Sequence, residues 1–196
     1  QAQVALGDAT LLDEAVAMGA DLVGVHTYRF LPDAASVRGA AEEAHSAIVV
    51  GGSFIGAESA ASLRLRGLDV TLIEMGPRLM PQLGSPEVSE ELADVYREQG
   101  IQLLFETELA ELTGNGKLLT GARTKDGTTI EGYLAIVGIG VVPNVELAKD
   151  AGAEVDNGIV VDERFRASLP DVYAIGDVAR YPDPTSGRLR RIEHWS

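Results

Sequence analysis

The chain contains no cysteine among its 196 residues. Disulfide frameworks, thiolate metal sites, iron–sulfur ligation and cysteine nucleophiles are therefore excluded within it. The sequence also has no apolar run near the roughly 20 residues that a membrane-spanning helix requires, and no signal peptide opens it. From these absences we expect a soluble, cytoplasmic protein.

Basic residues are scarce as well. The sequence has 16 lysines and arginines against 30 acidic residues, which gives a formal net charge of −14. This balance argues against nucleic acid and anionic membranes as partners, because phosphate surfaces require a basic face. With 45% apolar residues the chain is not disordered, and its length suits one large α/β domain or one domain with a piece of another.

Glycine, in contrast, is abundant, with 22 residues, and the clearest motif is a glycine turn. The apolar run 47–50 predicts a buried parallel strand. A helix over 55–66 and a second strand over 70–73 are predicted after the turn, so that about 30 residues form one strand–helix–strand unit. The turn itself consists of Gly51, Gly52, Ser53, Phe54, Ile55 and Gly56.

The turn approximates the dinucleotide-binding fingerprint. That fingerprint has glycine at its first, third and sixth places, which here are Gly51, Ser53 and Gly56. Gly51 permits the tight turn, Gly56 lets helix and strand pack closely, and the N–H groups at the helix start face the pyrophosphate. Serine at the middle place crowds the ligand slightly, and its hydroxyl is able to donate to a phosphate oxygen.

Acidic residues stand where such a site uses them. Glu74 ends the second strand, 23 residues after Gly51, close to the spacing of the acid that binds a ribose 2′-hydroxyl. An acid there repels a 2′-phosphate, so NADH is expected over NADPH, although Arg78 nearby weakens that argument. Glu58, placed in the first helical turn, has two interpretations: compensation of the helix dipole or contact with the nicotinamide end of the cofactor.

The remaining pattern predicts more α/β structure and a less regular tail. Ser85 is expected as the N-cap of a helix. The strand over 172–177 ends in Gly176 and Asp177, and Asp177 is either the N-cap of a following helix or a cofactor ligand. The predicted elements are helices over 33–45, 86–100 and 145–151, strands over 101–105, 134–137, 158–162 and 172–177, and two or three antiparallel strands within 111–133.

These motifs resemble the pyridine nucleotide–disulfide oxidoreductase family of flavoproteins with two dinucleotide-binding domains. The stretch 172–177 is similar to the segment that closes the family's FAD site, which implies that Asp177 binds the flavin nucleotide. The stretch 138–144 is similar to the crossover from the NAD domain to the FAD domain. Within the family, 74–80 and 183–196 most resemble NADH-dependent ferredoxin reductases of Rieske-type dioxygenases and the apoptosis-inducing-factor group.

The resemblance implies a fold and a set of cofactor-binding residues. We expect a Rossmann-like NAD(H)-binding domain over 26–144, preceded by a remnant over 1–25 and followed over 145–196 by the rear part of an FAD-binding domain. The family's front FAD-binding unit and its C-terminal domain are not found, so we expect an incomplete FAD site. The implicated residues are Gly51, Gly52, Ser53, Phe54, Ile55, Gly56, Glu58, Glu74, Arg78, Gly138, Gly140, Gly176, Asp177 and Trp195, the last beside the isoalloxazine.

The implied activity is hydride transfer from NADH to FAD, followed by single-electron transfer to a ferredoxin. No side chain need act as acid or base, because the flavin carries the chemistry. A ferredoxin-type acceptor would dock on a local basic cluster formed by Arg180, Arg188, Arg190 and Arg191. Three alternatives stay open: a solvated basic loop in place of a docking site, a non-catalytic NADH-binding module or apoptosis-inducing-factor-like scaffold, and a remnant that binds nothing.

Overall fold

The computed structural model describes residues 18–192, and the chain divides into two compact units. The first unit ends at Gly140 and the second begins at Val141, whereas the sequence places the boundary between 144 and 145. Of the predicted remnant over 1–25, the described residues belong to the first unit. Val25 contributes a strand to its main sheet.

The first unit is built on a five-stranded parallel sheet in the order β1-β8-β2-β3-β4. A separate antiparallel meander, β5-β6-β7, follows β4 and precedes β8 along the chain. The strands are β1 Val25–His26, β2 Ser46–Val50, β3 Asp69–Ile73, β4 Gln102–Leu104, β5 Leu109–Asn115, β6 Leu118–Thr124, β7 Thr129–Glu131 and β8 Leu134–Val137, and the helices are α1 Leu31–Glu43, α2 Phe54–Leu65 and α3 Pro86–Glu98.

Alternate residues of β2 face the two sides of this sheet, as the two-residue period of a strand requires. Ala47 and Val49 pack with the helices, and Ile48 and Val50 pack with the meander. Both faces of β2 are therefore buried, which explains its continuous apolar run. The predicted strands, helices and meander of this unit are confirmed, with ends shifted by one or two residues.

The N-terminus of α3 has an ordinary side-chain cap. The Ser85 hydroxyl accepts a hydrogen bond from the Val88 N–H at 3.3 Å, so the predicted N-cap of α3 is confirmed. α3 is joined to α2 by Tyr96, whose hydroxyl donates to the Ala57 carbonyl at 2.9 Å. Arg64 of α2 donates to the Gln99 carbonyl at 2.8 Å. Among residues 18–192, no helix has the length and apolarity to cross a membrane.

The register of the central strands decides where the site lies. Val50 is paired with Ile73 on one side and with Val137 on the other. The carboxyl ends of β2, β3 and β8 therefore meet at one edge of the sheet. That edge is where open parallel sheets bind ligands.

The second unit has shorter elements and a smaller core. Its buried apolar cluster consists of Val161, Ala174 and Ala179. Its elements are α4 Glu146–Asp150, β9 Ile159–Val160, β10 Ala179–Pro182 and β11 Leu189–Arg190, with a short 3-10 turn over Gly176–Val178, and the strands pair in the order β11-β10-β9.

The predicted strand over 172–177 is wrong. Tyr173 makes only an isolated bridge to Arg166, and the chain then enters the 3-10 turn. Left-handed backbone angles at Asp171 (φ 59°), directly before the stretch, and at Gly176 (φ 72°), within it, limit the extended backbone to a few residues. Asp177 lies inside the 3-10 turn rather than before it, so its interpretation as a helix N-cap is also wrong.

Candidate functional site

The glycine turn joins β2 to α2 through backbone contacts that leave no room for side chains. Gly51 has a φ of 101°, and its N–H donates to the Ile73 carbonyl at 2.8 Å. A Cβ on Gly51 would overlap the carbonyl oxygen of Gly138, and a Cβ on Gly56 would overlap that of Gly51. The first and sixth places of the fingerprint therefore need glycine in this backbone, for the reasons that the sequence predicted.

Ser53 shows why the middle place tolerates a side chain. It is the N-cap residue of α2, with an extended backbone at φ −75°, a conformation that any residue adopts. Its hydroxyl lies 3.3 Å from the Gly138 carbonyl and donates to it. In this state the hydroxyl is engaged by the protein, so donation to a phosphate would require it to rotate.

The start of α2 presents donors to the same edge of the sheet. The Ala57 N–H is the donor that reaches back to the Ser53 carbonyl, at 2.9 Å. The N–H groups before it belong to the first turn, where a helix has no backbone acceptor of its own, and the dipole there favours an anion. This arrangement suits a pyrophosphate.

Glu58 lies one residue further along α2 than expected, just beyond its first turn. The helix begins at Phe54 and has no acidic residue in its first turn, so the placement of Glu58 there is wrong, because the helix starts one residue earlier than the sequence pattern indicated. Glu58 is exposed. Burial and then the charge of Glu58 raise the pKa of Tyr96.

Glu74 follows β3 and faces the glycine turn directly. One carboxylate oxygen, Oε2, accepts the Gly52 N–H at 2.5 Å, and Oε1 accepts the Gly76 N–H at 2.6 Å. Each oxygen keeps a second acceptor site, which is what two ribose hydroxyls require. Sequence reasoning found Glu74 but missed its contact with Gly52 and Gly76, since that contact depends on the register of β3.

Arg78 points to another surface. It is half-buried and its charge contributes to lowering the pKa of Glu87, after the backbone N–H of Glu87 and the hydroxyl of Ser85. Within residues 18–192 no ion pair joins Arg78 to Glu74. The residues around Arg78 line a cavity of about 70 Å³: Pro77, Arg78, Ser89, Glu90, Ala93, Arg97 and Phe105.

The two glycines after β8 differ. Gly138 is buried, donates to the Val50 carbonyl at 2.8 Å and packs beside Ile55. Gly140 is exposed, has a φ of 124° and has open space around its Cα. The structure thus joins 51–56, Glu74 and Gly138 in one candidate site, and Gly140 ends the first unit.

The flavin-related residues belong to the second unit. Asp177 is exposed in the 3-10 turn, directly after Gly176. Its backbone carbonyl accepts the Arg191 guanidinium at 3.3 Å. Trp195 lies outside the described residues.

Three of the four clustered arginines have partners within the second unit. Arg180 pairs with Asp156, and Arg190 pairs with Asp183 at 3.3 Å, while Arg191 donates to Asp177. The Ser186 hydroxyl, the Thr185 N–H and Arg190 together hold the pKa of Asp183 below its ordinary value. The side chain of Arg188 is exposed and has no ion-pair partner in the part of the chain that the structure describes.

Fold and site together define a dinucleotide-binding α/β protein of the Rossmann type. A family model described as pyridine nucleotide-disulphide oxidoreductase matches residues 12–196. The chain belongs to this family, whose members use FAD and NAD(H). The resemblance inferred from the motifs is confirmed.

Individual relatives match most of the chain. Rhodocoxin reductase of Rhodococcus erythropolis is 39% identical over 175 residues, covering 89% of this chain and 41% of the relative. Monodehydroascorbate reductase 2 of Arabidopsis thaliana is 38% identical over 179 residues, covering 90% and 41%. The ferredoxin reductase of the CYP199A2 system from Rhodopseudomonas palustris superposes with a TM-score of 0.83 at 35% identity, covering 89% and 43%. The chain therefore spans about two fifths of the length of these relatives.

A further solved relative bears on the choice of nucleotide. The water-forming NADH oxidase of Lactobacillus brevis, bound to NADH, is 29% identical, with a TM-score of 0.78 over 90% of this chain and 39% of that protein. An engineered form bound to NADPH has five substitutions, at a glycine, an aspartate, the two residues after the aspartate and a later proline. The same spacing in this chain falls on Gly56, Glu74, Met75, Gly76 and Pro81.

Proposed function

We propose that the first unit binds NADH and that the whole protein is a cytoplasmic flavoprotein reductase. In this proposal the protein passes hydride from NADH to FAD and then single electrons to a ferredoxin-type acceptor. When bound, the flavin supplies the change from two-electron to one-electron transfer. The chain's own residues bind and orient the nucleotides, and none of them needs to act as a general acid or base.

The contact of Glu74 with the glycine turn carries the proposal. The turn places first-turn N–H groups of α2 beside a half-buried carboxylate that retains two acceptor sites. These are the partners of a pyrophosphate and of an adenosine ribose. A 2′-phosphate would instead meet a carboxylate of the same charge, so NADH is the expected nucleotide.

The other expected ligands keep their roles as parts of this proposal. Glu58 contacts the nicotinamide end of NADH, and Gly138 and Gly140 belong to the crossover from the NAD domain to the FAD domain. Gly176, Asp177 and Trp195 are assigned to the flavin side. Arg78 keeps its proposed place beside the adenosine ribose only through its nearness to Glu74 in the sequence, since its side chain borders α3.

A second acceptor class is supported by a specific similarity. Monodehydroascorbate reductases match this chain nearly as well as rhodocoxin reductase, at 38% and 39% identity. By name their substrate is a small organic molecule rather than an iron–sulfur protein. The internal pairing of Arg180 and Arg190 also leaves the basic cluster less charge for docking an acidic protein.

Calorimetric titration of the chain with NADH, NADPH and FAD tests the first step. We expect NADH to bind, NADPH to bind at least tenfold more weakly, and FAD to bind weakly or not at all, because Gly176 and Asp177, which are assigned to it, are exposed. Equal binding of NADH and NADPH would contradict the role of Glu74, and no binding of either would contradict the role of the turn. Reduction of a ferredoxin against that of monodehydroascorbate by the whole protein then separates the two acceptor classes.

A further inference from the structure

Glycine at two positions around Glu74 is not explained by backbone conformation. Neither Gly52 nor Gly76 has a positive φ, so both backbones are open to any residue. A Cβ on Gly52 would lie 3.1 Å from Glu74 Oε2 and 3.2 Å from Glu74 Cβ, and a Cβ on Gly76 would lie 3.0 Å from Oε1. The missing side chains leave the space that the carboxylate occupies.

The peptide groups around Gly52 are held from the loop that follows β3. The Gly52 N–H donates to Glu74, and the Gly52 carbonyl accepts the Met80 N–H at 2.7 Å. Met80 has a left-handed φ of 46°, a conformation that is strained for a residue with a Cβ. The loop therefore fixes both polar groups of the residue in the centre of the phosphate-binding turn.

From these contacts we infer that Glu74 is a positioning residue for the phosphate-binding turn, in addition to being a ribose ligand. Its carboxylate holds the Gly52 and Gly76 N–H groups whether or not a ribose is present. Hydrogen bonds to an ionised carboxylate are about twice as strong as neutral ones. A turn fixed in its binding conformation loses less entropy when the pyrophosphate binds.

The inference rests on the proposed NADH site. A substitution of Glu74 tested with NADH alone would change ribose binding and the positioning of the turn at the same time, so a probe without the ribose contact is needed. The probe is an NADH analogue whose adenosine ribose lacks both hydroxyls, so that Glu74 has no ribose group to bind. Glu74→Gln is the test variant, since an amide has one acceptor oxygen and its NH2 group faces a second donor. Glu91→Gln, at an exposed position of α3, is the matched control.

The inference predicts that Glu74→Gln weakens binding of this analogue about tenfold, whereas Glu91→Gln leaves it within twofold of the unmodified chain. Equal binding by the unmodified chain and Glu74→Gln would overturn the inference and leave Glu74 as a ribose ligand alone. Gly76→Ala is a second variant that keeps the carboxylate and crowds it. This variant is expected to bind the analogue about threefold more weakly than the unmodified chain does.

A spectroscopic readout tests the contact without any nucleotide. In the unliganded chain the Gly52 and Gly76 amide protons are expected downfield in NMR spectra, because each donates to a carboxylate oxygen of Glu74. In Glu74→Gln at least one of them moves upfield, while amides elsewhere stay in place. Unchanged Gly52 and Gly76 signals would overturn the inference, and failure of the unmodified chain to bind NADH would instead overturn the proposed function.

Discussion

The two units of this chain are stabilised in different ways. In the first unit, apolar side chains cover both faces of a parallel sheet, with residues such as Ile48, Leu72 and Ile136 fully buried. Each such residue contributes about 1.5–3 kcal/mol. In the second unit the buried apolar cluster among the described residues has three members, and Tyr173 and Ile175 are 62% and 73% exposed.

This difference in packing is matched by a difference in how much of a binding site each unit forms by itself. The first unit supplies the glycine turn, the carboxylate of Glu74 and the sheet edge of the proposed NADH site from its own residues. The geometry of these residues supports nucleotide binding. The second unit is organised by turns such as that of Asp162, which accepts the Arg164 N–H at 2.8 Å and the Arg166 N–H at 3.0 Å. Its flavin-related residues are exposed, and their roles rest on family resemblance.

The largest effect is expected where the first unit allows least change. Gly51→Ala adds a Cβ that overlaps the Gly138 carbonyl and also forces alanine into a φ of 101°. Left-handed strain and overpacking together are expected to destabilise the unit by about 3 kcal/mol, measured by urea unfolding. Gly116→Ala is the control, since its φ is 64° and open space surrounds it, and it should cost about 1 kcal/mol. Equal costs would show that the turn is not tightly packed.

The nucleotide preference of the first unit should be reversible by two substitutions. Glu74→Ala combined with Met75→Arg removes the acid and adds a cation at an exposed position. We expect the Kd for NADH to rise at least tenfold and that for NADPH to fall about tenfold, a combined change of about 2.7 kcal/mol. Calorimetry on the same chain measures both values. An unchanged NADH-to-NADPH ratio would contradict the role assigned to Glu74.

Acid should loosen the turn that Asp162 organises in the second unit. Backbone N–H groups and the guanidinium of Arg166 hold the pKa of Asp162 below its ordinary 3.8. A carboxyl group with a lowered folded pKa adds stability that is complete above the unfolded value and is lost as pH falls through the folded one. Local unfolding followed by hydrogen exchange should therefore increase below about pH 4. Asp162→Asn should show that loss already at neutral pH, and protection that is unaltered in this variant would contradict the account.

The smallest effect is expected at the basic cluster. Arg188→Glu changes the arginine of this cluster that is exposed and unpaired among residues 18–192. In the whole protein it should slow reduction of an acidic ferredoxin about two- to fivefold at low salt, with the difference fading as salt screens the charges. Arg180→Gln, which removes an arginine already paired with Asp156, should have less effect. An unchanged rate for Arg188→Glu would remove the cluster from the docking surface.

Local patterns predicted the first unit well because they coincide there with tertiary demands. Spacing along the sequence is enough to predict three features there: the apolar run 47–50, the glycine turn and the position of Glu74. Each is required by the direction of the chain and by close packing. The hold of Glu74 on Gly52 was not predictable, because it requires the register between β2 and β3. For the stretch 172–177 the local pattern gave a wrong prediction. Its apolar composition is typical of a strand, but positive φ angles at Asp171, directly before it, and at Gly176, within it, limit the extended backbone.

The central claim is that NADH binds at the glycine turn through Glu74. NADH titration of the isotope-labelled chain, followed through its backbone amide signals, tests this most directly. The account predicts that the signals of Gly52, Gly56 and Gly76 shift and saturate together with NADH, and that NADPH at the same concentrations moves them much less. Saturation with NADH while these three signals stay in place would contradict it.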